Sequence, residues 1–181
     1  RALCDQKYEQ ILADGGKTAA QLEELSSRLN AVKNERQSLR KSIQVGKILL
    51  ERLRSMTKAV GRAKNKMFHG GPLGAIGNAT INAIHRQGAE GSVRRAGEGL
   101  QELARSIENL SLAHGSERDA ELARLGVLLG QSDGGLGDGD TVSPMMDLIC
   151  RTIGLLQTKL DEVEPTVAAL EAQRLELIET A

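Results

Sequence analysis

Apolar side chains recur at alternating steps of three and four residues in two separate stretches of the chain. Such spacing is the a/d pattern of a heptad repeat, which forms one apolar seam along a helix and pairs it with another helix. Both stretches are therefore predicted to be long helices that pair through this seam. The first series is Leu22, Leu25, Leu29, Val32, Leu39, Ile43, Leu50, Leu53 and Val60. The second series is Met146, Ile149, Ile153, Leu156, Leu160, Val163, Val167, Leu170 and Leu177.

A few polar or small residues interrupt the two series. Arg36, Gly46 and Thr57 occupy seam positions in the first, and Arg174 occupies one in the second. A buried charge at an a position lowers stability but fixes the register of pairing. Alternatively, each arginine extends along the helix surface to a carboxylate at the edge of the seam. The pattern leaves both interpretations open.

Turn and cap residues set the expected ends of these helices. Asp14-Gly15-Gly16 predicts a break between a short helix over residues 1–13 and a long helix over residues 18–67. Ser143-Pro144 has the residue types of a helix N-cap followed by the first helical position. Pro165 is predicted to kink or restart the last helix, because proline lacks a backbone N–H.

The region between the two series is rich in glycine, with 16 of the chain's 20 glycines in residues 61–139. Glycine weakens a helix, so this region is predicted to be only partly helical. Residues 116–119 resemble a capping box with Asp in place of Glu. The predicted organisation is a short helix and glycine break in 1–17, a basic heptad helix in 18–68, a glycine-rich irregular or weakly helical segment in 69–99, two short helices in 100–130, a flexible acidic loop in 131–142 and an acidic heptad helix in 143–181.

Composition narrows the fold class. Aromatic residues make up 1% of the chain, as Tyr8 and Phe68, and tryptophan is absent. Sandwiches, barrels and typical α/β enzymes draw much of their buried area from aromatic side chains. We therefore expect an all-α, elongated protein in which two long heptad helices flank a glycine-rich, partly helical middle. The spacing does not decide between an antiparallel hairpin within one chain and pairing between chains.

Charge is segregated along the chain although the formal net charge is zero. Residues 26–95 carry 15 basic and 3 acidic groups, whereas residues 96–181 carry 6 basic and 16 acidic groups. Either the two halves neutralise each other, or the basic half contacts an acidic partner. The basic surface is predicted to comprise Arg40, Lys41, Lys47, Arg52, Arg54, Lys58, Arg62, Lys64 and Lys66.

Motifs for chemistry are incomplete. Gly15-Gly16-Lys17-Thr18 matches the end of a phosphate-binding loop, but Ile11 stands where its first glycine is required and no strand is predicted before it. Ser55 and Lys58 have the S-x-x-K spacing on a predicted surface helix. His69 and His85 have no His, Cys or carboxylate three or four residues away, and His114 has a single one, Glu117. We expect no catalytic residue, metal or cofactor, and hence a protein that is not an enzyme.

These features predict a structural, scaffolding protein that assembles through coiled-coil helices with itself or with other helical proteins. The alternative is a direct polyanion binder, for which residues 28–66 contact nucleic acid, an acidic filament surface of the cytoskeleton or an anionic membrane. Cys4 and Cys150 are too few for a disulfide framework, so a cytoplasmic or nuclear location is expected. Strongly apolar runs do not exceed three residues, as at Ile48–Leu50, which predicts no transmembrane segment.

Overall fold

The structure, a computed structural model, describes residues 2–67, 75–110, 116–131 and 139–181. This described part is all-helical and contains no strand, which confirms the predicted all-α class. Side chains of residues 2–5, 14, 59–90 and 139–141 lie outside the description. The helices are α1 (Ala2–Asp14), α2 (Lys17–Met67), α3 (Ala75–Glu108), α4 (Glu117–Gln131) and α5 (Gly139–Thr180).

The break between α1 and α2 lies at Gly15, which has a φ of 63°. This left-handed conformation is unfavourable for a residue with a Cβ atom, so glycine commonly occupies it after the last residue of a helix. The carbonyl of Gly16 then accepts hydrogen bonds from the backbone N–H groups of Ala19 and Ala20, at 3.1 and 3.3 Å. Helix α2 thus begins at Lys17, one residue before the predicted start.

Helix α3 runs through a boundary that the sequence pattern placed between residues 99 and 100. Its backbone is already helical at Ala75, within the segment predicted as irregular or weakly helical. Glycine lowers helix propensity by about 1 kcal/mol relative to alanine, but tertiary packing often outweighs propensity. Gly99 shows such packing, because a Cβ atom on it would lie 3.0 Å from Leu49 Cδ1. Its missing side chain lets α2 and α3 approach closely.

Helix α4 begins where the capping pattern predicts. The hydroxyl of Ser116 accepts a hydrogen bond from the backbone N–H of Arg118, at 3.2 Å. The carbonyl of Ser116 accepts another from the N–H of Ala120, at 3.1 Å. Ser116 therefore caps the helix N-terminus, where backbone N–H groups lack partners within the helix.

Helix α5 begins at Gly139, four residues before the predicted start, and continues through Pro165 to Thr180. The prediction that Pro165 restarts the helix is therefore wrong. Proline removes one backbone hydrogen bond, and Pro165 is exposed to solvent whereas Val163 and Val167 are buried. Burial of these neighbours stabilises the helix on the side opposite the proline ring. Residues 132–138 of the predicted acidic loop lie outside the described residues.

The chain divides into two compact units. The terminal unit comprises Arg1–Arg40 and Gln157–Ala181, and the central unit comprises Lys41–Leu156. Within the central unit, parts of α2, α3, α4 and α5 share one apolar core. Its most deeply buried side chains include Leu49, Leu53, Leu100, Leu103, Ile107, Leu129 and Ile149.

Candidate functional site

In the terminal unit, the predicted seam residues of α2 and α5 are largely withdrawn from solvent. Leu25, Val32 and Leu177 are half-buried, whereas the remaining seam residues of this unit are buried. Burying a leucine or valine side chain contributes about 1.5–3 kcal/mol. The buried members are Leu22, Leu29, Leu39, Leu160, Val163, Val167 and Leu170.

Ion pairs join α2 and α5 beside these apolar residues. Lys33 Nζ lies 2.7 Å from Glu171 Oε1, and Arg40 pairs with Glu164. Each helix advances seven residues between these two pairs, in opposite chain directions, so the two helix segments are antiparallel. A third pair places Lys159 Nζ 3.7 Å from Glu35 Oε1.

The heptad positions of these pairs match the antiparallel direction. In the frame set by the apolar series, the e positions are occupied by Lys33, Arg40, Glu164 and Glu171. Glu35 and Lys159 occupy g positions. In an antiparallel pair of heptad helices, e faces e and g faces g, and charges there select partner and orientation.

Glu171 lies in a cluster of positive charge. The hydrogen bond from Lys33 and its positive charge hold the pKa of Glu171 below its ordinary value of 4.5, and the charges of Arg36 and Arg174 lower it further. The two arginines that interrupt the apolar series therefore lie near Glu171, a carboxylate at the edge of the seam. Arg174 also stacks on an aromatic ring. Its guanidinium carbon lies 4.8 Å from the centroid of the Tyr8 ring, a cation–π contact between α5 and α1.

In the central unit, predicted seam residues contribute to the core or pack beside it. Met146 and Ile153 are half-buried, and a Cβ atom on Gly46 would lie 2.8 Å from Ile153 Cγ1. Glycine at this seam position of α2 leaves the space that Ile153 occupies. The side chain of Val60 lies outside the description. The buried seam members here are Ile43, Leu50, Leu53, Ile149 and Leu156.

The predicted basic surface divides into paired and unpaired side chains. Arg40 pairs with Glu164 in the terminal unit, and Arg54 Nη1 lies 2.9 Å from Glu51 Oε1 in the central unit. Other basic side chains of the set are exposed, and no ion pair joins them to another described residue: Lys41, Lys47, Arg52 and Lys58. The side chains of Arg62, Lys64 and Lys66 lie outside the description, so their contacts are not described.

A shallow groove of about 690 Å³ lies between α2 and α3 in the central unit, and we call it the α2–α3 groove. Lys47, Ile48, Arg52 and Met56 line it from α2, and Ser92 and Arg95 line it from α3. Sequence reasoning singled out Lys47 and Arg52 but missed Arg95, because the pairing of α2 with α3 is a long-range contact. The signal available was the charge of residues 26–95, which includes Arg94 and Arg95.

The motifs considered for catalysis fall on helix surfaces or outside the description. Gly15–Thr18 joins α1 to α2, so a helix precedes it and not the strand of a phosphate-binding loop. Ser55 and Lys58 are exposed on α2. Within the described residues, no group of three His, Cys, Asp or Glu side chains is arranged so that it could hold a metal ion. His69, His114 and the side chain of His85 are not described.

Cys150 is exposed and has a free thiol. In the described part of the chain, no helix combines the length and apolar composition needed to cross a bilayer.

Comparison of the chain with protein-family models, with curated proteins and with solved structures finds no match.

Proposed function

We propose that the chain is a non-enzymatic structural subunit, a helical scaffold that assembles with itself or with other helical proteins through coiled-coil helices. The observation that carries this proposal is the matched charge pairing of α2 and α5 in the terminal unit, Lys33 with Glu171 and Arg40 with Glu164. Charge pairs at e positions beside a buried apolar seam are the device by which coiled coils select partner and direction.

The exposed faces of the helices are then available for assembly. Leu175 on α5 of the terminal unit and Ile48 on α2 of the central unit are 46% and 42% exposed. Single exposed apolar residues are common on protein surfaces, but assembly through helices uses such residues together with flanking charges. The exposed free thiol of Cys150 agrees with the reducing cytoplasm or nucleus that we propose as the location.

Sedimentation equilibrium of the full chain over a wide concentration range, combined with crosslinking mass spectrometry in the cells that produce it, tests this proposal. We expect either a reversible increase in mass with concentration or recurrent crosslinks from exposed α2 and α5 residues to helical segments of another protein. Both results have the same meaning, because a scaffold must contact further chains. A chain that stays monomeric and gives no recurrent crosslink in cells would contradict the proposal.

Direct polyanion binding through residues 28–66 is a second candidate, favoured by the exposed Lys47, Arg52 and Lys58, which form no ion pair with a described residue. The intrachain pairs of Lys33, Arg40 and Arg54 leave fewer cations available than the sequence suggests. Binding of duplex DNA across a salt series tests this candidate. Each phosphate contact adds about 0.9 to the slope of log affinity against log salt. A slope below about 1 at low salt would reject it.

A further inference from the structure

The α2–α3 groove presents one stripe of α2. Lys47, Ile48, Arg52 and Met56 are spaced by one, four and four residues, which places them along the same side of the helix. The groove extends from Gln44 to Met56, a length of about 18 Å at 1.5 Å per residue. That length corresponds to about three turns of a partner helix lying along it.

The electrostatics of the groove are unbalanced. Lys47, Arg52 and Arg95 line it and are exposed, and within the described residues none of the three pairs with a carboxylate. The Arg95 side chain is held along its own helix by a hydrogen bond from its Nε to the carbonyl of Gly91, at 3.0 Å. Glu51, the acidic residue in the lining, is already paired with Arg54. The groove therefore attracts negative charge.

The groove also has an apolar element. Ile48 is 42% exposed, whereas Met56 is buried at 8% exposure and belongs to the core. At Gly99, α3 packs closely against Leu49, which is buried, whereas the neighbouring Ile48 is exposed. Ile48 is exposed and is flanked by cations that pair with no described carboxylate. Such a surface is complementary to an amphipathic helix in which apolar residues recur every three or four positions between acidic ones.

We propose that the α2–α3 groove binds an acidic amphipathic helix of a partner protein, an inference that rests on the scaffold function proposed above. Ile48 supplies the apolar contact, and Lys47, Arg52 and Arg95 contact carboxylates on either side of it. Nucleic acid is disfavoured for two reasons. Its phosphates would leave Ile48 without an apolar contact, and the residues that line the groove include no aromatic side chain on which a base could stack. A membrane surface is disfavoured because insertion requires a continuous apolar face, whereas charged residues surround Ile48.

Fluorescence anisotropy of the full chain tests the groove with a synthetic peptide of about five helical turns, with leucines at helical spacing and glutamates elsewhere. A scrambled peptide of the same composition, duplex DNA and phosphatidylserine vesicles are the comparison probes. There are two groove variants. One is Ile48→Asp, and the other combines Lys47→Glu with Arg52→Glu. The matched controls, on α4 and outside the groove lining, are Val127→Asp and Arg124→Glu, at an apolar and a basic position that are likewise exposed.

We expect the amphipathic peptide to bind, and each groove variant to weaken this binding by at least about tenfold, which is the effect of a central contact residue. The α4 controls should change it by less than about threefold. Circular dichroism of each variant confirms that the helices are retained. Equal binding of the scrambled peptide, equal loss in the α4 controls, or tighter binding of DNA or vesicles that displaces the peptide would overturn the proposal.

Failure of the groove and failure of the scaffold function give different results. If the chain assembles in cells and both groove variants leave the assembly unchanged, the groove proposal is wrong and the scaffold proposal stands. If the peptide binds in the groove but the chain makes no recurrent contact in cells, the scaffold proposal is wrong, and a helix-binding groove without a scaffold function stands.

Discussion

In the terminal unit, α2 carries Lys33 and Arg40 beside the carboxylates of Glu171 and Glu164. In the central unit, the same helix carries Lys47 at the next equivalent heptad position, where no ion pair joins it to a described residue. The e positions of the second heptad series are Glu171, Glu164 and Gln157 in the terminal unit, whereas Cys150 occupies the e position in the central unit. The e-position cations of α2 are thus paired with carboxylates in the terminal unit, whereas Lys47 in the central unit has no ion pair with a described residue.

The apolar contacts of the two units differ as well. In the terminal unit, buried residues of α2 and α5 form a narrow row beside the ion pairs. In the central unit, side chains from four helices share a core, and glycines allow close approach. Gly126 on α4 illustrates this, because a Cβ atom there would lie 3.2 Å from Ile107 Cγ2. The central unit should therefore respond more strongly to changes in side-chain volume.

The largest expected effect comes from removing one leucine from each unit. Leu53→Ala in the central core should lower the free energy of unfolding by about 3–5 kcal/mol, because several helices surround the cavity and limit its collapse. Leu29→Ala in the terminal unit should lower it by about 2 kcal/mol, because a narrow row of residues relaxes more easily. Both residues are buried at 4% exposure or less. Denaturant unfolding measures the difference, and equal losses would contradict this view of the two units.

A second prediction concerns the glycines that permit close packing. Gly46→Leu should destabilise the chain by about 1–3 kcal/mol, because even a Cβ atom would lie 2.8 Å from Ile153 Cγ1. Gly154→Ala is the matched control, since a Cβ atom there meets nothing within 4 Å. The control should stabilise the chain by up to about 1 kcal/mol through helix propensity. Thermal unfolding of both variants checks the signs, and a neutral Gly46→Leu variant would show that Ile153 moves aside freely.

The contacts behind the first two predictions differ in how far they could be predicted from the sequence. The heptad spacing located α2 within one residue at its N-terminus, because a regular apolar period is a local signal. The heptad spacing could not predict the pairing of α2 with α3, because Gly99 and Leu49 are fifty residues apart and share no local pattern. Lys47 and Arg52 were recognised by charge, whereas Arg95 became part of the groove only through that pairing.

A third prediction addresses the ion pairs of the terminal unit. A double-mutant cycle with Lys33→Ala and Glu171→Ala should give a coupling energy of about 0.2–1 kcal/mol, as for exposed pairs, and it should fall with added salt. The cycle with Arg94→Ala and Glu98→Ala is the control, because that pair lies within one helix at 3.5 Å. Reversal to Lys33→Glu should be rescued by Glu171→Lys. An absence of rescue would mean that this charge pair does not contribute to the packing of α2 on α5.

The smallest expected effect is a pH dependence from Glu171. Lys33 holds its pKa in the folded chain below 4.5, so the unfolded chain binds the proton more readily. Its contribution to stability is present above pH 4.5 and is lost as the pH falls through the folded pKa. Glu171→Gln should therefore flatten the acid limb of the stability curve measured by urea unfolding. Glu176→Gln, an exposed position on the same helix, is the control and should leave that limb unchanged.

The contact of Tyr8 with Arg174 has an optical consequence. The chain has one tyrosine and no tryptophan, so excitation of tyrosine fluorescence reports on a single position. That position lies on α1, stacked 4.8 Å from the guanidinium of an α5 residue. Intrinsic emission therefore follows the attachment of α1 to α5 without any added dye, while far-ultraviolet circular dichroism follows all the helices together. Detachment of the first helix before general unfolding would become visible as an emission change that precedes the loss of ellipticity.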